Sequence, residues 1–251
     1  MRTFTVLTAA VLVLAACSDT EAPIAGPETD ALATTAEDGF GMAGTFEITV
    51  ENLTYGQPFT PPLAVTHRSA IALFNVGEAA SEGVQQISEN GNLGPALDAL
   101  DGARHVADLV VAVAGDPPPV MPGQSVTFQL STERGARELS FVSMLICTND
   151  GFTGVNGLKL PAEVGQTASA DLYAYDAGTE INTESFDDLV PPCPALTGVP
   201  STSPGSGISD PALAEGGVVQ YHPGVTGSAD LDAMIHGWSG AVGRITVERI
   251  G

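Results

Sequence analysis

Positive charge is scarce in this chain: 8 Lys and Arg stand against 30 Asp and Glu in 251 residues, for a formal net charge of −22 and a pI near 4.1. So acidic a protein repels phosphate backbones, which excludes nucleic acid as a partner, and it offers no basic patch to an anionic membrane surface. Catalytic templates are also missing. No G-x-S-x-G, H-E-x-x-H, S-x-x-K or P-loop occurs. The four histidines (His67, His105, His222 and His236) have no close ligand spacing and announce no zinc site. The apolar run from Phe4 to Leu14 falls short of the roughly 20 residues a membrane-spanning helix needs. What the charge allows is a divalent cation, a basic partner, or plain solubility.

Enough apolar sequence is present, 43% of the residues, to bury a core of one large or two small domains. Gly 29 and Pro 18 point to many turns and few long helices. Residues 1–17 (MRTFTVLTAAVLVLAAC) have one charge, Arg2, ahead of the apolar run, the layout of a secretory signal peptide. Their end, Leu14-Ala15-Ala16-Cys17, resembles the lipobox of bacterial lipoproteins, in which the signal is removed before a Cys that becomes acylated. An ordinary signal peptide cut near Ala16 is the alternative. Several acyl chains at about 0.8 kcal/mol per buried CH₂ anchor a protein stably, where one would not. Ser18, rather than Asp, follows the Cys, which by the same resemblance favours the outer membrane of a bacterial envelope. The membrane would then be met only through the lipid.

Residues 18–44 lack apolar periodicity and are rich in Ala, Thr, Pro, Gly and acids, so they read as a flexible acidic tether. Export permits disulfides, and with Cys17 lipidated the three cysteines leave Cys147 and Cys193 as a pair. Closing that loop is worth about 4 kcal/mol where geometry allows. Two free thiols are the other outcome.

From residue 45 to 251 the signal is alternation. Phe46, Ile48 and Val50 share one side of TFEITVENL, and Val126, Phe128 and Leu130 share one side of QSVTFQL. ELSFVSMLI is apolar on both sides, with Leu139 and Phe141 opposite Val142, Met144 and Ile146, so it reads as a central strand. Segments 107–113 and 170–175 and the terminal VGRITVERI are further strands. Residues 77–104 hold one or two short helices broken at Asn90-Gly91, and 190–217 read as a long Pro/Gly/Ser loop of functional length. The fold class is therefore all-β, an antiparallel β-sandwich.

Acids gather in turn-like contexts. Asp150 lies in CTNDGF just past the central strand, and Asp176, Glu180 and Glu184 lie in YDAGTEINTE just past ADLYAY. Carboxylates on loops at one end of a sandwich can converge on a hard cation, and Ca²⁺ takes six to eight oxygens in flexible geometry. Solvated turn acids would look the same.

At these residues the chain resembles the spondin N-terminal domain family. The turn 148–154 (TNDGFTG) is similar to the Ser-Pro-Asp-Trp-Phe-x-Gly turn of animal members, with Asn149 for Pro and Gly151 for Trp. Segment 175–180 (YDAGTE) is similar to their Tyr-Asp-Ala-Gly-Thr-Asp, with Glu180 for the last Asp. The closing GAVGRITVERI is also similar, and PPLAVTH at 61–67 and the stretch 216–222 resemble bacterial members. The resemblance spans about 45–250 and implies a C2-like sandwich with a Ca²⁺ site at Asp150, Asp176 and Glu180. Glu184 joins them by proximity alone.

The resemblance implies an envelope-anchored calcium-binding module that works in surface binding or adhesion, on a protein or glycan ligand, without catalysis. The alternatives are a hydrolase of envelope or extracellular glycans using an acid pair, and a metal-free structural envelope protein. His67 and His222 read as strand-end hydrogen-bonding groups or as pocket lining, and Trp238, the only Trp, as packed against the sheet.

Overall fold

The computed structural model describes residues 43–113 and 119–251. The expected signal segment 1–17, Cys17 and nearly all of the expected tether lie outside the described residues. Among the described residues, nine strands and four short helices follow in the order β1 (Gly44–Asn52), β2 (Leu63–His67), α1 (Glu82–Asn90), α2 (Gly94–Leu100), β3 (Val106–Val111), β4 (Ser125–Thr132), β5 (Glu138–Met144), β6 (Gly151–Lys159), β7 (Thr167–Asp176), α3 (Pro192–Thr197), β8 (Gln220–Tyr221), α4 (Ala233–His236) and β9 (Gly243–Arg249). Among the described residues no helix is long and apolar enough to cross a membrane.

All the strand pairings are antiparallel and run in the order β3-β2-β5-β6-β7-β9-β1-β4, with β8 added beside β7. β7 belongs to both layers of the sandwich. Its first half, Thr167 to Leu172, pairs with β9, and its second half, Gly154 to Gly151 opposite Tyr173 to Asp176, pairs with β6. The strand thus carries the chain from one layer to the other and ends in the acidic turn. At the opposite seam β2 and β3 meet β4 through side chains: Thr66 Oγ1 of β2 donates to the Ser131 carbonyl at 2.6 Å, and the Ser131 N–H donates to Asp108 of β3 at 2.7 Å. Those bonds occupy backbone groups that an open sheet edge would leave exposed.

The alternation of the sequence becomes the inter-layer core. Phe46, Ile48 and Val50 from β1 meet Leu139 and Phe141 from β5, Leu172 from β7 and Ile245 and Val247 from β9. The other side of β5 serves a second core: Val142 and Met144 pack with Phe152 from β6, Val84 and Ile87 from α1, and Phe186 and Leu189. This two-sided burial is why 138–146 carries no polar face. Helix α1 starts where the Ser81 hydroxyl accepts the Val84 N–H and stops at Gly91, whose φ of 64° is the left-handed conformation glycine adopts freely.

Three strands were hidden in the sequence, the two-residue β8 among them. β6 reads GFTGVNGLK, too rich in glycine to look like a strand, yet its glycines answer to close packing. A Cβ at Gly154 would stand 2.5 Å from the Phe141 carbonyl oxygen, and one at Gly151 would stand 2.3 Å from the Thr148 hydroxyl. β2 follows a double proline and is buried at every residue, so it shows no alternation either. The expected long loop at 190–217 contains the six-residue α3, and its far end is tied down where Glu180 bridges Ala214.

Candidate functional site

The acidic site is assembled by the β5–β6 turn and the end of β7. Thr148 shapes the turn: its hydroxyl donates to the Leu145 carbonyl and accepts the Gly151 N–H. Pairing of Gly151 with Asp176 then sets Asp150 beside the end of β7, and the Ala177 N–H bonds the Asp150 carbonyl. Asp150 is fully buried and Asp176 is 1% exposed. One carboxylate oxygen of Asp150 accepts three bonds, from the Thr179 N–H at 2.7 Å, the Glu180 N–H at 3.0 Å and the Thr179 hydroxyl at 3.2 Å. Its other oxygen, Oδ1, is buried with no hydrogen-bond partner. Burial, with Asp176 adding repulsion, pushes the Asp150 pKa up to about 6 against those three bonds.

Asp176 accepts one bond on each oxygen, from the Gly178 N–H at 2.8 Å and the Asn182 amide at 2.7 Å. Gly178 has φ 70°, and a Cβ there would lie 2.5 Å from the Val218 backbone, so only glycine makes this turn. Glu180 is brought to the cluster by its backbone, while its carboxylate reaches away to the Asp210 N–H at 3.1 Å. Burial pushes its pKa up to about 7, the Asp210 N–H opposes this, and Glu89, Asp150 and Asp210 add to it. Glu89 and Asp210 were not singled out in the sequence, because each reaches the site from a different segment, and Asn182 was passed over within YDAGTEINTE because it carries no charge. Glu215 joins them at the rim, its pKa raised by burial and by Asp176.

Glu184, grouped with these acids by proximity, serves a different loop. One of its oxygens accepts the Thr226 N–H and hydroxyl, and the other accepts the Ser228 N–H and hydroxyl, while its carbonyl takes the N–H groups of Asp230 and Leu231. Burial raises its pKa, but the Thr226 and Ser228 bonds outweigh burial and hold it below the ordinary value. With four donors on two oxygens, this carboxylate is a loop clamp.

The histidines part company as well. His67 is fully buried and bonded on both ring nitrogens, to the Arg68 carbonyl at 2.8 Å and the Ser140 hydroxyl at 2.7 Å. His222 accepts the Gly224 N–H on Nδ1, which puts its ring proton on a buried Nε2 with no partner. Burial drives its pKa down to about 4 against the charges of Asp176 and Glu184. Trp238 packs against the inter-layer core and meets the His222 ring edge-to-face at 5.1 Å. Cys147 and Cys193 form a disulfide with Cα atoms 5.2 Å apart.

The donor set suits a hard cation. Asp150 and Asp176 offer carboxylate oxygens with free lone pairs, and the orphaned Asp150 Oδ1 is what a cation would satisfy. The four acids do not converge as a set, since among the described residues only Cys147, Cys193 and His236 form a group of three or more ligating side chains within 4.8 Å of one another. Calcium here would complete its shell with main-chain oxygens and water.

An antiparallel sandwich whose acidic turns gather at the end of one strand defines a C2-like β module. The chain belongs to the spondin N-terminal domain family: the Spondin_N family model matches residues 52–189, which contain Asp150, Asp176, Glu180 and Glu184. It is also similar to Spondin-2 of Homo sapiens, with 28% identity over 159 residues, 58% of this chain and 47% of that protein. The chain thus spans about half the length of the curated relative it matches.

Proposed function

We propose that this protein is a calcium-dependent binding module, held at a bacterial envelope through a lipidated Cys17 and working in surface binding or adhesion toward a protein or glycan. The observation that carries the metal is Asp150, fully buried beside Asp176, with one carboxylate oxygen left without a donor. Two carboxylates side by side repel each other, and a divalent cation turns that repulsion into attraction. Calcium would hold the β5–β6 turn to the end of β7 and so shape the loops at that end. An affinity of about 10⁻⁴–10⁻³ M, typical of extracellular modules, suits such a role.

An acid-pair hydrolase is the competing reading, and the near-neutral pKa values of Asp150 and Glu180 favour it. Access speaks against it. Asp150 and Asp176 are at most 1% exposed and Glu180 is 5% exposed, so a glycan chain has no route to an acid pair.

Thermal unfolding across calcium concentrations, at fixed high ionic strength, tests the proposal, with magnesium as control. At about 100 times its dissociation constant, calcium adds about 2.7 kcal/mol, or roughly 5–10 °C in melting temperature for a domain of this size. A saturable rise specific to calcium is the expected result. A flat response, or an equal one with magnesium, sinks the metal site.

A further inference from the structure

The one convergence of ligating side chains among the described residues lies away from the acidic turns. Cys147 follows β5, Cys193 sits on α3 and His236 ends α4, and all three are buried with their ligand atoms within 4.8 Å of one another. The disulfide occupies both sulfurs. It does not account for the imidazole.

Three features prepare that imidazole and its neighbours. The buried Gln57 amide bridges two of the ligand residues: its Nε2 donates to the carbonyls of Cys147 at 3.1 Å and His236 at 2.6 Å, and its Oε1 accepts the Cys147 N–H at 3.1 Å. The ring is oriented at both ends. Nδ1 lies between the Asp232 N–H at 2.9 Å, which it accepts when unprotonated, and the Asp232 carbonyl at 3.2 Å, to which it donates when protonated, and Nε2 lies 3.2 Å from the Thr197 hydroxyl on the helix that carries Cys193. A metal-bound histidine commonly donates its second ring N–H to a backbone carbonyl, and with the proton on Nδ1 the Asp232 carbonyl is placed to accept it. Burial also holds His236 below its ordinary pKa, against the Asp232 backbone bond and charge.

We propose that the dithiol form of this protein binds one Zn²⁺ through Cys147, Cys193 and His236, so that the disulfide and the metal are alternative staples of the same three segments. The chemistry balances with a small thiol as reductant. Two R–SH transfer two electrons and two protons to the S–S bond, giving R–S–S–R and two Cys–SH. Zinc binding then releases two protons and forms two Zn–S bonds and one Zn–N bond, with water in the fourth position. Two thiolates cancel the charge of Zn²⁺, which suits a buried site. The soft donor set distinguishes it from the all-oxygen acidic turns.

Cobalt(II) is the probe. The full chain, reduced and then freed of reductant under anaerobic conditions, is titrated with Co²⁺ and followed by absorption. The expected result is one equivalent bound, with an intense thiolate-to-metal charge-transfer band and the d–d bands of a tetrahedral ion, displaced by Zn²⁺. The oxidised chain should show neither, and Co²⁺ held by the carboxylates would give only weak bands of oxygen ligation. His236→Asn should weaken binding by more than about 100-fold, beyond the usual loss of an orienting partner. Far-ultraviolet circular dichroism checks folding at each step. If reduction loosens the fold, Zn²⁺ should restore it. Absence of the charge-transfer band, binding unchanged by His236→Asn, or a reduced chain that Zn²⁺ does not refold would each overturn the proposal.

Discussion

Asp150 and Glu184 are two buried carboxylates, 34 residues apart in the chain, with opposite electrostatics. Glu184 is wrapped by a loop that supplies four donors, and its pKa falls below the ordinary value although burial alone would raise it. Asp150 has three donors on one oxygen, none on the other, and Asp176 beside it, and its pKa rises to about 6. Burial is common to both. The number and placement of donors decide whether a buried carboxylate is a finished structural clamp or a charge still lacking a partner.

That contrast breaks most visibly at Glu184. Replacing it by Gln turns an acceptor into a donor against the Thr226 or Ser228 N–H, which should cost about 3 kcal/mol and lower the melting temperature by roughly 6–12 °C, with or without calcium. Asp150→Asn should do the reverse. Without metal its stability should be unchanged or higher, because the unsatisfied Asp150 charge and its repulsion of Asp176 are gone, and the calcium-dependent rise of roughly 5–10 °C should vanish. If Asp150→Asn destabilises the metal-free protein as much as Glu184→Gln does, the two sites are alike and the contrast is wrong.

pH sharpens the same distinction. The folded pKa values of Asp150 and Glu180 lie above their unfolded ones, so in chelator the folded state keeps protons that the unfolded state has released. Metal-free stability should therefore fall as pH rises from about 4 through the folded values of about 6 and about 7, by on the order of 2 kcal/mol after screening, and level off above them. Glu184 has the opposite sign. Its contribution is present above the ordinary carboxylate range and lost as pH falls through its lowered folded value. Melting temperatures at closely spaced pH values, with chelator and with calcium, check this, and calcium should flatten the fall. The smallest effect belongs to Glu180→Gln, whose carboxylate reaches Asp210 rather than the orphaned oxygen of Asp150. It should reduce the pH slope and change the calcium response by less than Asp150→Asn does.

Much of the fold was legible because alternation reports a face. Phe46, Ile48 and Val50 and the two-sided apolar run of β5 lie in the core as their spacing implies. The helices at 82–90 and 94–100 fall within the region read as helical and break near Gly91. β6 escaped because packing against Phe141 and Thr148 demands glycine where a strand would ordinarily show β-branched residues. At the site, Asp150 and Asp176 were legible in their turns. Glu184 was misplaced by proximity, since four residues after Glu180 the chain turns through a residue with φ 56° and aims the carboxylate at another loop.

The amino-acid order alone determined the all-β class, the acidic turns and the family they resemble, because strand periodicity and turn chemistry are local properties of the chain. Only the tertiary structure decided which acid keeps an unsatisfied oxygen, which is clamped by Thr226 and Ser228, and that His236 lies against Cys147 and Cys193. Those outcomes depend on donors brought in from segments tens of residues away, and whether a buried charge is satisfied is settled only where those segments meet.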